Sequence, residues 1–369
     1  MKILHLLYES KGDYFGIGGV GMRAYEIYRR LKDRHKVTLL CKKYPGAVNG
    51  EREGLRHIFA GQESKSLTKT LLAYACYASK YVRKHANDYD VIIEEFSPAI
   101  PTFLHVFTKK PIILQVQGFT GRLYFRKYNP FYALTLYMME SLRPRLYDNF
   151  IFVSPQTIRK FSLSEGKRIK VIPNGVSSEL LAAPPRIGNY VLYLGRIDMY
   201  GKGLDVLLAA YKEFYKSFPD IGLVIAGDGR EHSLLKAEIM KLPAEVREKI
   251  DLQNWVSGQK KRKVIMDALY AVFPSRHEAQ PISVLEAMSS AKAVIVSDIP
   301  EFNFVIERGA GVSFRMGNAM SLARSMTDLT VSDRREIMGN RGRDYMQQFT
   351  WDAIANLYES FINDVIAQG

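Results

Sequence analysis

The chain is predicted to fold as two doubly wound α/β units, and three observations point there. Its 369 residues exceed what one hydrophobic core usually serves, since single cores seldom grow past about 250–300 residues. Short apolar runs of strand length alternate with helix-length stretches along most of the chain. Each half also opens on the same unit, an apolar strand followed by a glycine-containing loop and a helix.

In the first half, Lys2–Leu7 reads as a buried strand. It runs into the glycine-rich stretch Tyr8–Gly21 and then a helix over Met22–Leu31. Gly16, Gly18 and Gly21 fit the letters of a dinucleotide fingerprint, but the loop before them is too long for its tight turn. Further strands are expected at Lys36–Cys41, Arg56–Ala60, Asp90–Ile93, Pro111–Val116, Phe150–Ser154 and Ile169–Ile172, with a helix over Leu67–Arg83. In parallel sheets ligands sit beyond the carboxyl ends of strands. The candidates there are the glycine loop, the tract Glu94–Ser97 and the tract Gln117–Arg122.

Asn174–Asn189 reads as the linker, so the expected domains are 1–180 and 181–349, with a final helix from about 350 packing back on the first. In the second half Tyr190–Leu194 leads into Gly195–Gly203, reading GRIDMYGKG, and a helix over Leu204–Phe218. Arg196 and Lys202 place two cations beside that helix N-terminus, a pattern suited to a diphosphate without a metal; a surface loop with two basic residues is the plainer reading. Gly222–Ala226 ends in the turn Gly227-Asp228-Gly229, which admits close backbone approach, and Ile250–Leu252, Ala271–Phe273 and Ala293–Ser297 complete the strands.

After Ala271–Phe273 comes Pro274–Met288, PSRHEAQPISVLEAM, a polar loop holding Glu278 and then a helix from near Pro281 holding Glu286. Free backbone N–H groups at such a helix start suit phosphate, and Glu278 is placed to accept from hydroxyls. Taken alone, a solvated loop acid and a surface helix acid would look the same.

Composition narrows the class. Hydrophobic residues make up 47% and charged residues 24%, ordinary for a globular protein. Cys41 and Cys76 read as small core residues, with no disulfide framework or thiolate metal site. The opening apolar run is short for a secretion signal, and no uncharged stretch approaches the roughly 20 residues of a spanning helix, so a cytoplasmic chain is expected. Charge is segregated: residues 1–180 hold 29 Lys and Arg against 15 Asp and Glu, and the remainder 23 of each. The formal excess of +14 thus lies in the first half and points to an anionic partner met by one domain.

Two segments could carry that charge. Leu67–Arg83 reads as core packing with a solvated basic edge. Gly121–Arg145 interleaves Arg122, Arg126, Lys127, Arg143 and Arg145 with Tyr124, Phe125, Tyr128, Phe131 and Tyr132, a mixture that suits either a lipid interface or stacking on nucleic-acid bases.

With GGVGMRAYEIYRRL from Gly18, FVSPQT at Phe152–Thr157, VIPNGV at Val171–Val176, GRIDMYGKG, AGDG at Ala226–Gly229 and PSRHEAQPISVLEAM in this order, the chain resembles retaining glycosyltransferases of the GT-B fold, family four. The resemblance implies two Rossmann-like domains facing a cleft and transfer of a sugar from a nucleotide sugar to a saccharide or lipid-linked acceptor. It implies that Arg196 and Lys202 hold the donor diphosphate, Glu278 the donor sugar and Glu286 the ribose. Gly195, Gly227 and backbone at Gln280, Pro281, Ile282 and Ser283 would line the donor, with Gly18 and Gly19 approaching the diphosphate from the first domain. No metal or other cofactor and no nucleic-acid partner is expected; the charge split, rather than the resemblance, suggests an anionic or membrane-borne acceptor and an anionic membrane surface met by the basic domain. The family usually has His where this chain has Gln117, which hydrogen-bonds but carries no charge near neutral pH. A nucleotide-sugar epimerase of the same fold, or a basic binding protein without chemistry, are the competing readings.

Overall fold

The computed structural model describes residues 1–9, 18–62 and 66–368. The chain divides into two compact units, Met1–Asn174 with Trp351–Gly369, and Gly175–Thr350.

The first unit is built on eight strands: β1 (Lys2–Leu7), β2 (Lys36–Lys42), β3 (Gly50–Arg52), β4 (Leu55–Ala60), β5 (Val91–Glu95), β6 (Ile112–Val116), β7 (Asn149–Phe152) and β8 (Arg168–Val171). They lie in the order β3-β4-β2-β1-β5-β6-β7-β8, all parallel except the edge pair β3–β4. The central strands are buried on both faces, as in a sheet covered on both sides. Edge strand β3 is wholly exposed, so no apolar run marks it in the sequence. Helix Leu67–His85 buries Tyr74, Ala75, Ala78 and Val82 in the core. Lys65 and the Leu67 side chain lie outside the described residues. The last helix, Trp351–Ala367, packs on the first, Gly19–Leu31. Tyr28 and Tyr358 meet edge to face, and Arg30–Asp352 (3.0 Å) and Arg34–Glu359 (2.8 Å) pair across the contact.

The second unit carries β9 (Tyr190–Leu194), β10 (Gly222–Ala226), β11 (Ile250–Gln253), β12 (Tyr270–Phe273), β13 (Val294–Ser297) and β14 (Gly311–Phe314). Their order is β11-β10-β9-β12-β13-β14, all parallel. Strand order therefore reverses between β1 and β5 in one sheet and between β9 and β12 in the other, the switch points where doubly wound sheets open a crevice.

The sequence expectation needs two corrections here. The stretch from Gly175 to Asn189 is not a free linker. Val176 N donates to Phe349 O (2.9 Å), Leu180 is buried on the short helix Ser178–Ala182, and Arg343 Nη2 donates to Ala183 O (3.0 Å). Its few apolar side chains are enough to fix it on the second unit, and the division falls after Asn174. The second correction concerns Glu94 and Glu95, which lie inside β5, both buried. Glu94 accepts from Thr102 Oγ1 and from Tyr147 OH (2.7 Å) and lies 3.3 Å from Arg143 Nη2. A buried carboxylate survives only with such partners.

Candidate active site

In the second unit, three loops at the carboxyl ends of β9, β10 and β12 are pressed backbone to backbone. Gly195 N donates to Ala226 O (3.1 Å) and Ile197 N to Asp228 O (2.9 Å). A Cβ on Gly227, whose φ is +158°, would lie 1.8 Å from Gly195 O. One on Gly203, at φ +67°, would lie 2.0 Å from Pro274 O. The space these glycines leave on their Cβ side is therefore filled by neighbouring protein backbone. Tyr193 donates its hydroxyl to Arg196 O (2.8 Å). Burial first, with Glu278 nearby, pushes that phenol well above its ordinary range, so it stays a donor and shapes the turn.

This packing brings charges together across the switch point. Lys202 Nζ lies 2.5 Å from Glu278 Oε1, which also accepts from Ser275 Oγ (2.7 Å). Arg196 is open instead: its side chain is 71% exposed and lies 4.0 Å from Asp198. Asp198 ties the loop by accepting from Gly201 N (2.6 Å). Helix Ile282–Ser289 starts at Pro281 with no side-chain cap. Pro281 has no N–H, so of the run Gln280–Ser283 only Gln280, Ile282 and Ser283 can present amides. Glu286, on the second turn, is buried and pairs with Lys261 Nζ (2.5 Å).

In the first unit, Gly18 caps helix Gly19–Leu31 in an extended conformation, and Gly21 N donates to Glu9 Oε2 (3.0 Å). The Glu9 carboxylate thus lies at the helix N-terminus that the resemblance assigns to the diphosphate; a Cβ on Gly18 would meet it at 2.6 Å. Gly16 lies outside the described residues. Gln117 directs its Nε2 at both oxygens of Glu95, 3.1 Å each, and Gln115 Nε2 donates to the same carboxylate. His5 Nε2 lies 3.3 Å from Glu95 Oε1. With its amide nitrogen committed, Gln117 offers a ligand its carbonyl oxygen, an acceptor for a hydroxyl. The loop that follows is held from behind by buried Glu140, which accepts from Thr120 N (2.8 Å), Gly121 N (2.6 Å) and Tyr124 OH (3.0 Å). Among the described residues no group of three or more His, Cys, Asp or Glu side chains could hold a metal ion, and no helix is long and apolar enough to cross a membrane.

Two family profiles match successive parts of this chain: Glycosyltransferase Family 4 over residues 17–180 and Glycosyl transferases group 1 over residues 183–345. The chain belongs to glycosyltransferase family four, of the GT-B class. It is 30% identical over 206 residues to the GDP-mannose:cellobiosyl-diphosphopolyprenol alpha-mannosyltransferase of Xanthomonas oryzae pv. oryzae, covering 54% of this chain and 53% of that protein. It is also 30% identical over 194 residues to the phosphatidyl-myo-inositol mannosyltransferase of Mycobacterium leprae, covering 50% of each. The chain thus spans about half the length of the curated relatives it matches. Among solved structures, sucrose-phosphate synthase from Thermosynechococcus elongatus is similar over the full length of both chains, with a TM-score of 0.80 at 18% identity. HepE of Anabaena, solved in complex with UDP-glucose, gives 0.75 at 17% identity, again over both full chains. At such identity the likeness concerns the fold.

Two residues of this family-four chain escape sequence reading. Arg276 pairs with both oxygens of Asp205 (2.7 Å each), donates to Tyr200 O (2.7 Å) and lies over the Tyr200 ring at 4.3 Å, clamping the Lys202 loop to the Glu278 loop. The Asp205 hydrogen bonds raise its guanidinium above the usual range. Its place two residues before Glu278 was the available signal. Lys261 sits in the run Lys260–Lys263 on helix Gly258–Met266, where nothing distinguishes it from its neighbours until the fold sets it against Glu286.

Proposed function

We propose that the protein transfers a sugar from a nucleotide-diphosphate sugar to a glycan or lipid-linked acceptor, with retention of configuration and without a metal ion. The observation that supports this most is the Lys202–Glu278 pair across the switch point of the second unit, with Arg196 open beside it. Arg196 and Lys202 neutralise the departing diphosphate, and Glu278 accepts from hydroxyls of the transferred sugar. Glu286 accepts from the ribose, and amides at the start of helix Ile282–Ser289 donate to phosphate and sugar oxygens. In the transfer the bond from the anomeric carbon to the β-phosphate oxygen breaks, and its electron pair stays on the nucleoside diphosphate. The acceptor hydroxyl oxygen bonds to that carbon from the same face, and its proton passes to the leaving phosphate. No side chain is assigned as nucleophile.

The names of the mannosyltransferase relatives make GDP-mannose the first donor to test, ahead of UDP-glucose. The test is a thermal-stabilisation screen of nucleotide sugars in EDTA, followed by transfer assays on Lys202→Ala and Glu278→Ala. A donor raises the melting temperature by mass action, and both variants stay folded while losing transfer. Undiminished transfer by both would sink the assignment, and activity abolished by EDTA would remove its metal-free part.

A further inference from the structure

The helix Pro130–Leu142 is apolar on two opposite faces, yet only one of them is covered. Ala133, Leu136 and Glu140 point inward at helical spacing, packed with Tyr124, Ala99, Tyr132 and Tyr137. Phe131, Leu134, Met138 and Leu142 recur at three- and four-residue spacing on the other side, and all four are exposed, Phe131 at 83%. Phe125, Tyr128 and Leu146, flanking the helix, are exposed as well. A helix apolar all round is normally buried, and a contiguous exposed apolar patch marks a docking surface.

What borders the patch identifies the occupant. Arg122, Arg126, Lys127 and Arg145 are exposed around it. The one acid between Gln117 and Tyr147, Glu140, faces inward. Arg143, counted with the basic set from sequence, does not belong to it: it is buried, beside Glu94 and over the Phe96 ring. The sequence left lipid and nucleic acid open. Four of the exposed apolar side chains (Leu134, Met138, Leu142 and Leu146) are aliphatic or thioether, with no planar face for a base, but they suit acyl chains.

We propose that this face of the first unit docks on an anionic lipid bilayer, with Phe131, Leu134, Met138 and Leu142 entering the headgroup–acyl boundary and the four bordering cations meeting lipid phosphates. A bilayer matches both features, an apolar slab under a sheet of negative charge. The proposal stands apart from the transferase reading, because it needs no donor and no turnover.

The test is co-sedimentation of the full chain with vesicles of phosphatidylcholine alone and of phosphatidylcholine with phosphatidylglycerol, without nucleotide sugar. Binding is expected only with the anionic lipid, and it falls as salt rises. The double variant Phe131→Ser, Met138→Ser should lower vesicle partition at least about tenfold. Arg126→Glu with Lys127→Glu should lower it by at least about tenfold and flatten the salt dependence. Leu234→Ser, an exposed apolar position of the second unit, serves as the control and leaves binding unchanged. All these positions are exposed, so circular dichroism and melting temperature should stay at the parent values. Equal binding to both vesicle types, or loss equal to the control in the Phe131 variant, overturns the proposal. Self-association that Phe131→Ser abolishes, with no vesicle binding by the parent, would also overturn it, and so would oligonucleotide binding in place of vesicle binding.

Discussion

The two units share a parallel-sheet plan and a switch point, but they treat charge at that point in opposite ways. In the second unit Lys202 and Glu278 meet on loops beyond the strands, and Arg196 stands open to solvent. In the first unit the acids at the end of β5 are drawn into the sheet. Glu94 accepts hydrogen bonds from Thr102 and Tyr147 with the Arg143 guanidinium 3.3 Å away, and Glu95 accepts from Gln115 and Gln117. The same topology therefore leaves ionic groups on loops beyond the strands in one unit and draws them into the sheet in the other. Charge near a strand end is no guide to chemistry until its partners are known.

Activity should separate the two units most sharply. Lys202→Ala and Glu278→Ala are expected to lower kcat/KM by about a hundredfold or more, with the unfolding free energy changed much less, as measured by steady-state transfer and urea denaturation. Arg143→Ala should do the reverse. It leaves Glu94 buried without its cation, which costs about 3–5 kcal/mol and shows as a lowered urea midpoint at unchanged slope. A stable, inactive Arg143 variant would erase the contrast.

A smaller effect is expected at Lys261, which orients Glu286 through the 2.5 Å pair. Lys261→Met should weaken nucleoside-diphosphate binding about tenfold by calorimetry, and Lys261→Arg should restore most of it, because either cation can hold the carboxylate. No change in affinity would leave the pair with a structural part only.

The smallest effect concerns pH. Lys292 is buried and donates to Ala268 O (2.7 Å) and to Arg186 O, and desolvation pushes its ammonium down to about 8. The unfolded chain then binds more protons than the folded one between that value and the ordinary one of about 10.5. The Lys292 contribution to stability therefore rises with pH across this window and is at its least favourable below it. Comparing the parent with Lys292→Met by urea titration from pH 7.5 to about 10.5 should show a shallower rise in the variant. Parallel curves would mean that the lysine keeps its charge in the interior as easily as in water.

Much of this was legible beforehand, for local reasons. Strands such as Tyr190–Leu194 and Gly222–Ala226 were visible because fully buried strands read as unbroken apolar runs. The glycine loop GRIDMYGKG and the stretch PSRHEAQPISVLEAM carried their own order of turn, cation, acid and helix start. What escaped were elements whose reason lies elsewhere in the chain. The edge strand β3 has no buried face, and β14 is short and only partly apolar, so neither has a local period to detect. Gly175–Asn189 reads as a linker because its serines and prolines are turn formers, while its attachment depends on Phe349 and Arg343 far along the sequence.

By itself, then, the sequence determined the two-unit α/β class, the family, the placement of the excess charge in the first half and the residues from which a donor site could be assembled. These follow from composition, period and motif order, which are properties of neighbouring residues. Only the tertiary structure decided that Lys202 meets Glu278, that Lys261 rather than its basic neighbours meets Glu286, and that Gly227 makes room for Gly195. The same holds for Arg143 turning inward while Phe131 stays outside. Pairings between residues distant in sequence depend on which loops the sheet order brings together, and hydrogen-bond and ion-pair partners within about 3 Å are set by packing, which no local pattern encodes.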